Sequence, residues 1–151
     1  MNVSATLDHA AIAGLIPHAG SMCLLARVES WDARRIRCIA TSHADRANPL
    51  RSASGLLASA CIEYAAQAAA VHGGLQARAA GHEAAPGFLA SARGVRLHRL
   101  RLDDLAGELA IETEHLAGDD RQLLYAFTVQ HAGRPVADGR LAVVLDTPLP
   151  A

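Results

Sequence analysis

Apolar residues dominate one long block of the sequence at helical spacing. They extend from Ser54 to about His72 and cover nearly all sides of the predicted helix. Ser52 or Ser54 is predicted to be its N-cap, and the pair Gly73-Gly74 is a typical helix stop. A helix that is apolar on nearly all sides must be surrounded by other parts of the fold.

Alternation of apolar and polar residues predicts strands on both sides of this helix. Ile36, Cys38 and Ala40 share one face of a strand over 35–42, and residues 31–34 are the predicted turn that joins it to a strand over 22–31. A short helix over 8–15 precedes both strands, with Asp8 as its N-cap. Four more strand-like segments follow the long helix: 88–102, 105–116, 123–131 and 135–145. Gly94 marks a bulge or a close backbone approach in the first of them.

This order of elements predicts a single α+β domain over residues 1–151. One antiparallel sheet wrapped around one long central helix would bury the helix, as would a second copy in a dimer. The layout resembles the hotdog fold, and the alternative is a generic α+β domain. The many alanines of the helix would let the sheet approach closely.

Composition limits the classes of function. The chain has 151 residues, of which 51% are hydrophobic, so it can bury a core without disulfides or metals. A net charge of −1 argues against nucleic acid as a partner, because phosphate binding needs a clustered basic surface. The basic residues are all arginine, which excludes lysine nucleophiles and Schiff bases.

The cysteines and the most apolar stretch of the sequence bear on the cellular compartment of the protein. Three cysteines without CxxC spacing are interpreted as buried thiols, and no signal peptide is found at the N-terminus, so a cytoplasmic protein is expected. The stretch 55–75 is interpreted as a core helix and not as a membrane span, because Glu63 lies near its middle. The scattered histidines favour no metal site.

Three polar residues interrupt the apolar helix. Ser59, Glu63 and Gln67 are spaced four residues apart and are predicted to form one stripe along the helix. A buried carboxylate without a partner costs several kcal/mol, so Glu63 must either pair or line a cavity where its chemistry is useful. The apolar neighbours favour the cavity.

Two segments and a following strand resemble the β-hydroxyacyl-ACP dehydratases. The run Ile16-Pro17-His18-Ala19-Gly20-Ser21-Met22-Cys23-Leu24-Leu25 is similar to their L-P-H-R-x-P-F-L-L opening. Ile62-Glu63-Tyr64-Ala65-Ala66-Gln67 is similar to their E-A-M-A-Q helix motif, and the strand from Phe88 to Val95 resembles theirs. Order and spacing match over most of the chain. The likeness is greatest to the predicted hotdog dehydratases of aryl-polyene-type gene clusters.

The resemblance implies a substrate and a mechanism. The substrate is a 3-hydroxyacyl thioester on the phosphopantetheine arm of an acyl carrier protein, and no separate cofactor is needed. A histidine takes the α-proton, and Glu63 matches the carboxyl that assists loss of the hydroxyl group. Backbone N–H groups at the start of the helix hold the thioester oxygen. Gln67 matches a supporting residue, and we expect Ser59 and Gln67 to contact the substrate.

One departure from the family pattern concerns the base. The dehydratases carry their catalytic histidine in a G-H-F-P loop, but the matching residues 47–51 contain none. We expect His18 to replace it, because it lies on a loop leading to the first strand. His43 is the second candidate. The alternative for His18 is a structural role in the turn.

Two other functions stay open. A hotdog thioesterase would use Glu63 to activate water and would not need the loop histidine. A non-catalytic subunit would complete the tunnel of an active hotdog partner. The chain is expected to work as a dimer, either a homodimer or a heterodimer with another hotdog protein. Arginines are also concentrated around the strand after the helix, and they indicate either a charged edge strand or a docking surface for an acidic carrier protein: Arg93, Arg96, Arg99 and Arg101.

Overall fold

The computed structural model describes residues 6–17, 20–82, 87–119 and 121–145. Within them the helices and strands are β1 (Leu7–Asp8), α1 (His9–Ala13), β2 (Arg27–Trp31), β3 (Arg35–Ala40), α2 (Cys61–Ala79), β4 (Gly87–Leu97), β5 (Leu109–Gly118), β6 (Gln122–His131) and β7 (Arg134–Leu145). Short 3₁₀ turns cover 20–22, 42–44 and 58–60. The predicted order of helices and strands is confirmed, and β1 is an addition.

The strands form one antiparallel sheet in the order β1-β2-β3-β5-β6-β7-β4. Helix α2 packs against this sheet, chiefly over β3 and β5, as the sequence predicts. Tyr64, Ala65 and Ala68 of the helix are fully buried together with Cys38 and Ile111 of the sheet. Small alanine side chains on the helix let the sheet lie close to it, so little space remains on this side of α2.

Helix α2 begins later than predicted. Neither Ser52 nor Ser54 is the N-cap: this position belongs to Ala60, whose side chain gives no capping hydrogen bond. Leu57, before the 3₁₀ turn 58–60, is extended and pairs with a distant part of the chain, where the Ala58 N–H donates to the Leu100 carbonyl at 2.8 Å. Backbone pairing therefore takes the place of the predicted first helical turn.

Helix α2 also ends later than predicted, because Gly73 and Gly74 do not stop it. The stop is Gly81, which has a φ of +82°. Its N–H donates to the Arg78 carbonyl, and the His82 N–H donates to the Ala77 carbonyl at 3.0 Å. These two bonds form the Schellman arrangement, which needs a left-handed residue that glycine adopts without strain.

The predicted turn and bulge are confirmed. The Asp32 N–H donates to the Arg35 carbonyl at 2.8 Å, which closes the turn between β2 and β3. Gly94 has a φ of +58° and lies at the register shift of β4 between Arg93 and Arg96. The segment after Leu97 leaves the sheet, because it turns to pair with the chain before α2, so the predicted strand over 88–102 is too long.

Candidate functional site

A cavity of about 900 Å³ lies between α2 and the strands at one edge of the sheet. The strands that face it are β4, β6 and β7, which contribute Leu89, Tyr125 and Val143 among others. The helix contributes residues from Glu63 to Ala77, a span of about 21 Å at the usual rise per residue. Between these two residues the helix wall consists mainly of small side chains, including Ala66, Ala69, Ala70 and Gly73. The result is a long apolar groove with a carboxyl group at one end.

Glu63 lies in the first turn of α2 and is half-buried. It lines the large cavity and also a second cavity of about 470 Å³ on the other side of the helix start. Ser59 lines this second cavity, together with Leu57 and Ile62. The structure therefore brings Ser59 and Glu63 to one cavity, and Glu63 lines both cavities. A carboxyl group in this position can give a proton to a bound molecule or take one from it.

Gln67 points away from both cavities. It is fully buried, and its side-chain nitrogen donates to the Met22 carbonyl at 2.7 Å. The predicted stripe divides here, because each step of four residues turns about 40° round the helix. Gln67 supports the chain before β2, and its expected contact with substrate stays a prediction.

His18 lies outside the described residues. On one side of it, Pro17 lines the large cavity together with Glu63. On the other side, Met22 is held by Gln67. His43, the second candidate base, lines neither cavity: it is fully buried, and its Nε2–H donates to the Leu105 carbonyl at 3.0 Å. Burial lowers the pKa of His43.

A buried tyrosine and histidine support the wall of the cavity. His72 Nε2–H donates to the Asp32 carbonyl at 2.7 Å, so the neutral ring accepts a hydrogen bond at Nδ1 from the Tyr125 hydroxyl at 2.9 Å. Burial lowers the pKa of His72 and raises the pKa of Tyr125. This pair ties the centre of α2 to β6 and to the β2–β3 turn.

Sequence reasoning missed the Tyr125–His72 pair. Tyr125 has the inward position in an alternating strand, which was a usable sign of burial. Its partner lies 53 residues earlier on α2, so the pairing depends on the tertiary fold. The sequence placed His72 in the last turn of a shorter helix, and the structure places it in the centre of a longer one.

The start of α2 is anchored by Asp103, which the sequence showed only as part of a turn. Its carboxylate accepts hydrogen bonds from the Leu56 N–H at 3.0 Å and from the Arg101 guanidinium. The Arg101 hydrogen bonds hold the pKa of this carboxyl well below its usual range. Gly55, at a φ of +95°, leaves the room that these two side chains occupy.

The arginines around β4 differ in their partners. Arg96 pairs with Asp138, Arg99 with Asp104 and Arg101 with Asp103. Arg93 instead lies directly opposite Arg140 of β7, and both side chains are exposed and line a groove on the sheet. Among the described residues, neither of these two has a carboxylate partner.

The remaining sequence expectations concern thiols, metals and membranes. All three cysteines are buried free thiols, and burial raises the pKa of Cys38 and Cys61 to about 12. Across the described part of the chain, no cluster of His, Cys, Asp or Glu has the geometry to hold a metal ion. No helix in those same ranges has the length and apolar character needed to span a membrane.

Solved structures confirm the hotdog fold. The chain is similar to the dehydratase heterocomplex ApeI:P from Xenorhabdus doucetiae, with 23% identity and a TM-score of 0.81 over 90% of this chain and 91% of that chain. A mutant thioesterase from Pseudomonas aeruginosa is 15% identical, with a TM-score of 0.59 over 82% of this chain and 81% of that chain. A hypothetical thioesterase with coenzyme A from Streptococcus pneumoniae is 12% identical, with a TM-score of 0.55 over 79% and 84%.

Sequence comparison gives the family. Curated protein sequences show no match to the chain. The sequence model of the ApeP-like family, described as ApeP dehydratase, matches residues 10–149, which is nearly the whole chain. This protein therefore belongs to the ApeP-like family of hotdog dehydratases.

Proposed function

We propose that this protein dehydrates a 3-hydroxyacyl thioester to the trans-2-enoyl thioester, with Glu63 as the carboxyl group that transfers the proton. The position of Glu63 carries the proposal, because it lines both cavities and lies at the end of a long apolar groove. A thioester beside Glu63 would extend its acyl chain along α2 and its pantetheine arm past Ser59. Membership of a dehydratase family supports the class of reaction.

The proposed reaction needs an acid and a base. The base takes a proton from Cα, and the electrons of that C–H bond form the Cα–Cβ double bond. The C–O bond at Cβ breaks, and Glu63 gives its proton to the hydroxyl group, which leaves as water. Negative charge that develops on the thioester oxygen would be stabilised by the positive end of the α2 helix dipole and by backbone N–H groups near it. Transfer of a proton from the base back to Glu63 restores both groups.

We assign the base to His18. Pro17, its neighbour in sequence, lines the cavity together with Glu63. The loop that carries a histidine in other dehydratases cannot supply one here. Its Asn48 is turned into the core, where Nδ2 donates to the Ser42 carbonyl at 2.9 Å and to the Tyr64 hydroxyl at 3.1 Å. His43 is also committed to a buried backbone contact.

The partner we propose is a second hotdog subunit in a heterodimer. Within the described part of the chain, strand β4 is the last strand of the sheet and pairs only with β7. Its outer end exposes Phe88 by 63% and Leu89 by 39%, and both residues line the large cavity. A partner strand on this edge would cover the apolar side chains and close the cavity. The similar structure of an ApeI:P heterocomplex supports this arrangement and a role in aryl-polyene-type biosynthesis.

We further propose that an acyl carrier protein delivers the substrate. Arg93 and Arg140 support this partner, because like charges that face each other across a strand pair oppose folding and attract anions. The other arginines around β4 are neutralised by aspartates. The substrate brings its own phosphopantetheine, so no further cofactor is proposed. Three cysteines kept as buried free thiols are consistent with a cytoplasmic setting.

The experiment is mass spectrometry of a 3-hydroxyacyl thioester on carrier protein, with the protein alone and with its co-expressed hotdog partner. Loss of one water, and its gain from the enoyl thioester, is the expected result. Release of free acid would instead establish a thioesterase. This is the second candidate function, because the loop histidine is missing and because thioesterases have similar folds. Turnover by the complex that survives removal of Glu63 would indicate a non-catalytic subunit.

A further inference from the structure

Two adjacent glycines lie in the middle of α2, where each costs helix stability relative to alanine. The sequence suggests that they end the helix, but the helix continues through both. A glycine inside a helix can allow close packing, or it can leave space that the function needs. The two residues have different surroundings: Gly74 faces a neighbouring segment of the chain, and Gly73 faces the large cavity.

Gly74 lies on the packed side of the helix. A Cβ atom at this position would lie 3.4 Å from Leu15 Cδ2 and 3.4 Å from the Leu15 carbonyl oxygen. These distances are at the short limit of ordinary van der Waals contact, so position 74 lies on the packed side of the helix, against the segment after α1. Gly74 is buried by this contact and does not line the cavity.

Gly73 has no neighbouring segment packed against it in the described part of the chain. A Cβ atom there would meet no heavy atom within 4 Å. The residue faces the large cavity, between the walls formed by Ala70 and Ala77. Folding would therefore gain from alanine at this position, and the space above Gly73 belongs to the cavity. Glycine here keeps the groove wide at a defined distance from Glu63.

That distance corresponds to a definite length of acyl chain. Ten residues of helix separate Glu63 from Gly73, which places them about 15 Å apart along the axis. An extended carbon chain advances about 1.25 Å per bond, so about twelve carbon atoms reach from the carboxyl group to Gly73. We propose that Gly73 is a specificity-determining residue that admits acyl chains longer than this. The proposal rests on the proposed function, because it takes Glu63 as the place where the thioester is held.

The test is a graded series, Gly73→Ala, Gly73→Val and Gly73→Leu, assayed in the complex with two carrier-bound thioesters. One carries a 3-hydroxyhexanoyl group, which ends before Gly73, and the other a 3-hydroxyhexadecanoyl group, which passes it. We expect kcat/KM for the long substrate to fall with side-chain size, by at least tenfold relative to the short substrate for Gly73→Leu. If the ratio of kcat/KM for the long substrate to kcat/KM for the short substrate equals the wild-type ratio in all three variants, the proposal is overturned.

Gly74→Ala is the matched control, because it adds the same methyl group one residue away on the packed side. We expect Gly74→Ala to keep the wild-type ratio of kcat/KM for the long and the short substrate, whereas Gly73→Ala should lower that ratio and raise the melting temperature. A ratio that moves as much in Gly74→Ala as in Gly73→Ala would show a general effect of helix packing, which contradicts the proposal. Gly73→Ala keeps the test decisive even where the leucine variant folds poorly.

A binding measurement separates this proposal from the proposed function. Hexyl and hexadecyl thioethers of pantetheine can undergo neither dehydration nor hydrolysis, and calorimetry gives their affinities for each variant. If the wild type turns over neither substrate but Gly73→Leu loses affinity for the long thioether alone, the proposed reaction fails and the role of Gly73 stands. If the wild type binds the long thioether no better than the short one, the role of Gly73 is refuted.

Discussion

Gln67 and Leu24 are joined by a buried hydrogen bond that fixes the chain in front of β2. The Gln67 carbonyl oxygen accepts the Leu24 N–H at 2.9 Å, and both residues are buried. The other end of the same amide holds Met22. One side chain on α2 thus satisfies two backbone groups of the segment that leads away from Pro17 and the cavity.

Replacement of Gln67 by leucine should therefore destabilise the protein. Leu24 N–H and the Met22 carbonyl would lose their partner in the interior, at a cost of about 2 kcal/mol. Urea denaturation measures the difference in unfolding free energy. The control is Gln76→Leu, because Gln76 makes one exposed hydrogen bond to the Ala33 carbonyl, and its loss should cost less than about 1 kcal/mol. Equal costs for the two variants would contradict this account of Gln67.

Acid should weaken the fold through His72 and His43. Burial lowers the pKa of both below the ordinary value of 6.5, so the unfolded chain binds protons more readily than the folded one. Their contribution to stability is complete above pH 6.5 and is lost as the pH falls below it. The unfolding free energy, measured from pH 8 to pH 5, should decline below pH 6.5. A His72→Asn variant should be less stable at pH 8 and show a shallower decline, and an unchanged decline would argue against this role for His72.

Carrier protein binding should depend on Arg93 and Arg140. In the double variant Arg93→Gln, Arg140→Gln, we expect KM for the carrier-bound thioester to rise about fivefold at low salt, because each exposed charge pair contributes up to about 1 kcal/mol. The effect should shrink at high salt. KM for a free pantetheine thioester should stay the same, because this substrate has no carrier protein that could contact the two arginines.

The control for these arginines is Arg35→Gln. Arg35 is also exposed on the sheet, but it has a carboxylate partner in Glu114, at 3.0 Å, which it shares with Arg34. We expect this variant to keep the wild-type KM for the carrier-bound thioester. An effect of Arg35→Gln as large as that of the double variant would show a general effect of net charge, and the docking surface would then be wrong.

Local signals in the sequence predicted much of the fold. Asp32 closes the expected turn, and Gly94 forms the expected bulge, because each depends on backbone chemistry within a few residues. The boundaries of α2 depend on distant contacts and were therefore missed. Extended pairing with Leu100 replaces its first turn, and Gly74 packs against Leu15 within the helix and does not end it.

In the candidate site, too, the sequence predicted what depends on local pattern and missed what depends on tertiary contacts. Glu63 could be found from the sequence, since a carboxylate in an apolar helix needs a reason. The separation of Gln67 from Ser59 and Glu63 could not, because it depends on which side of the helix the sheet covers. The Tyr125–His72 pair and the anchoring of Leu56 by Asp103 are tertiary contacts between segments far apart in the chain.

The most direct test of the central claim is the turnover of Glu63→Gln beside the wild type, as the complex with its hotdog partner. Glutamine keeps the size and the polarity of the side chain but cannot give up a proton in the same way. Mass spectrometry of the acyl group would follow dehydration of a 3-hydroxyacyl thioester and the reverse hydration. We expect at least a hundredfold loss in both directions, with an unchanged melting temperature. Turnover at the wild-type rate by the folded variant would contradict the role of Glu63.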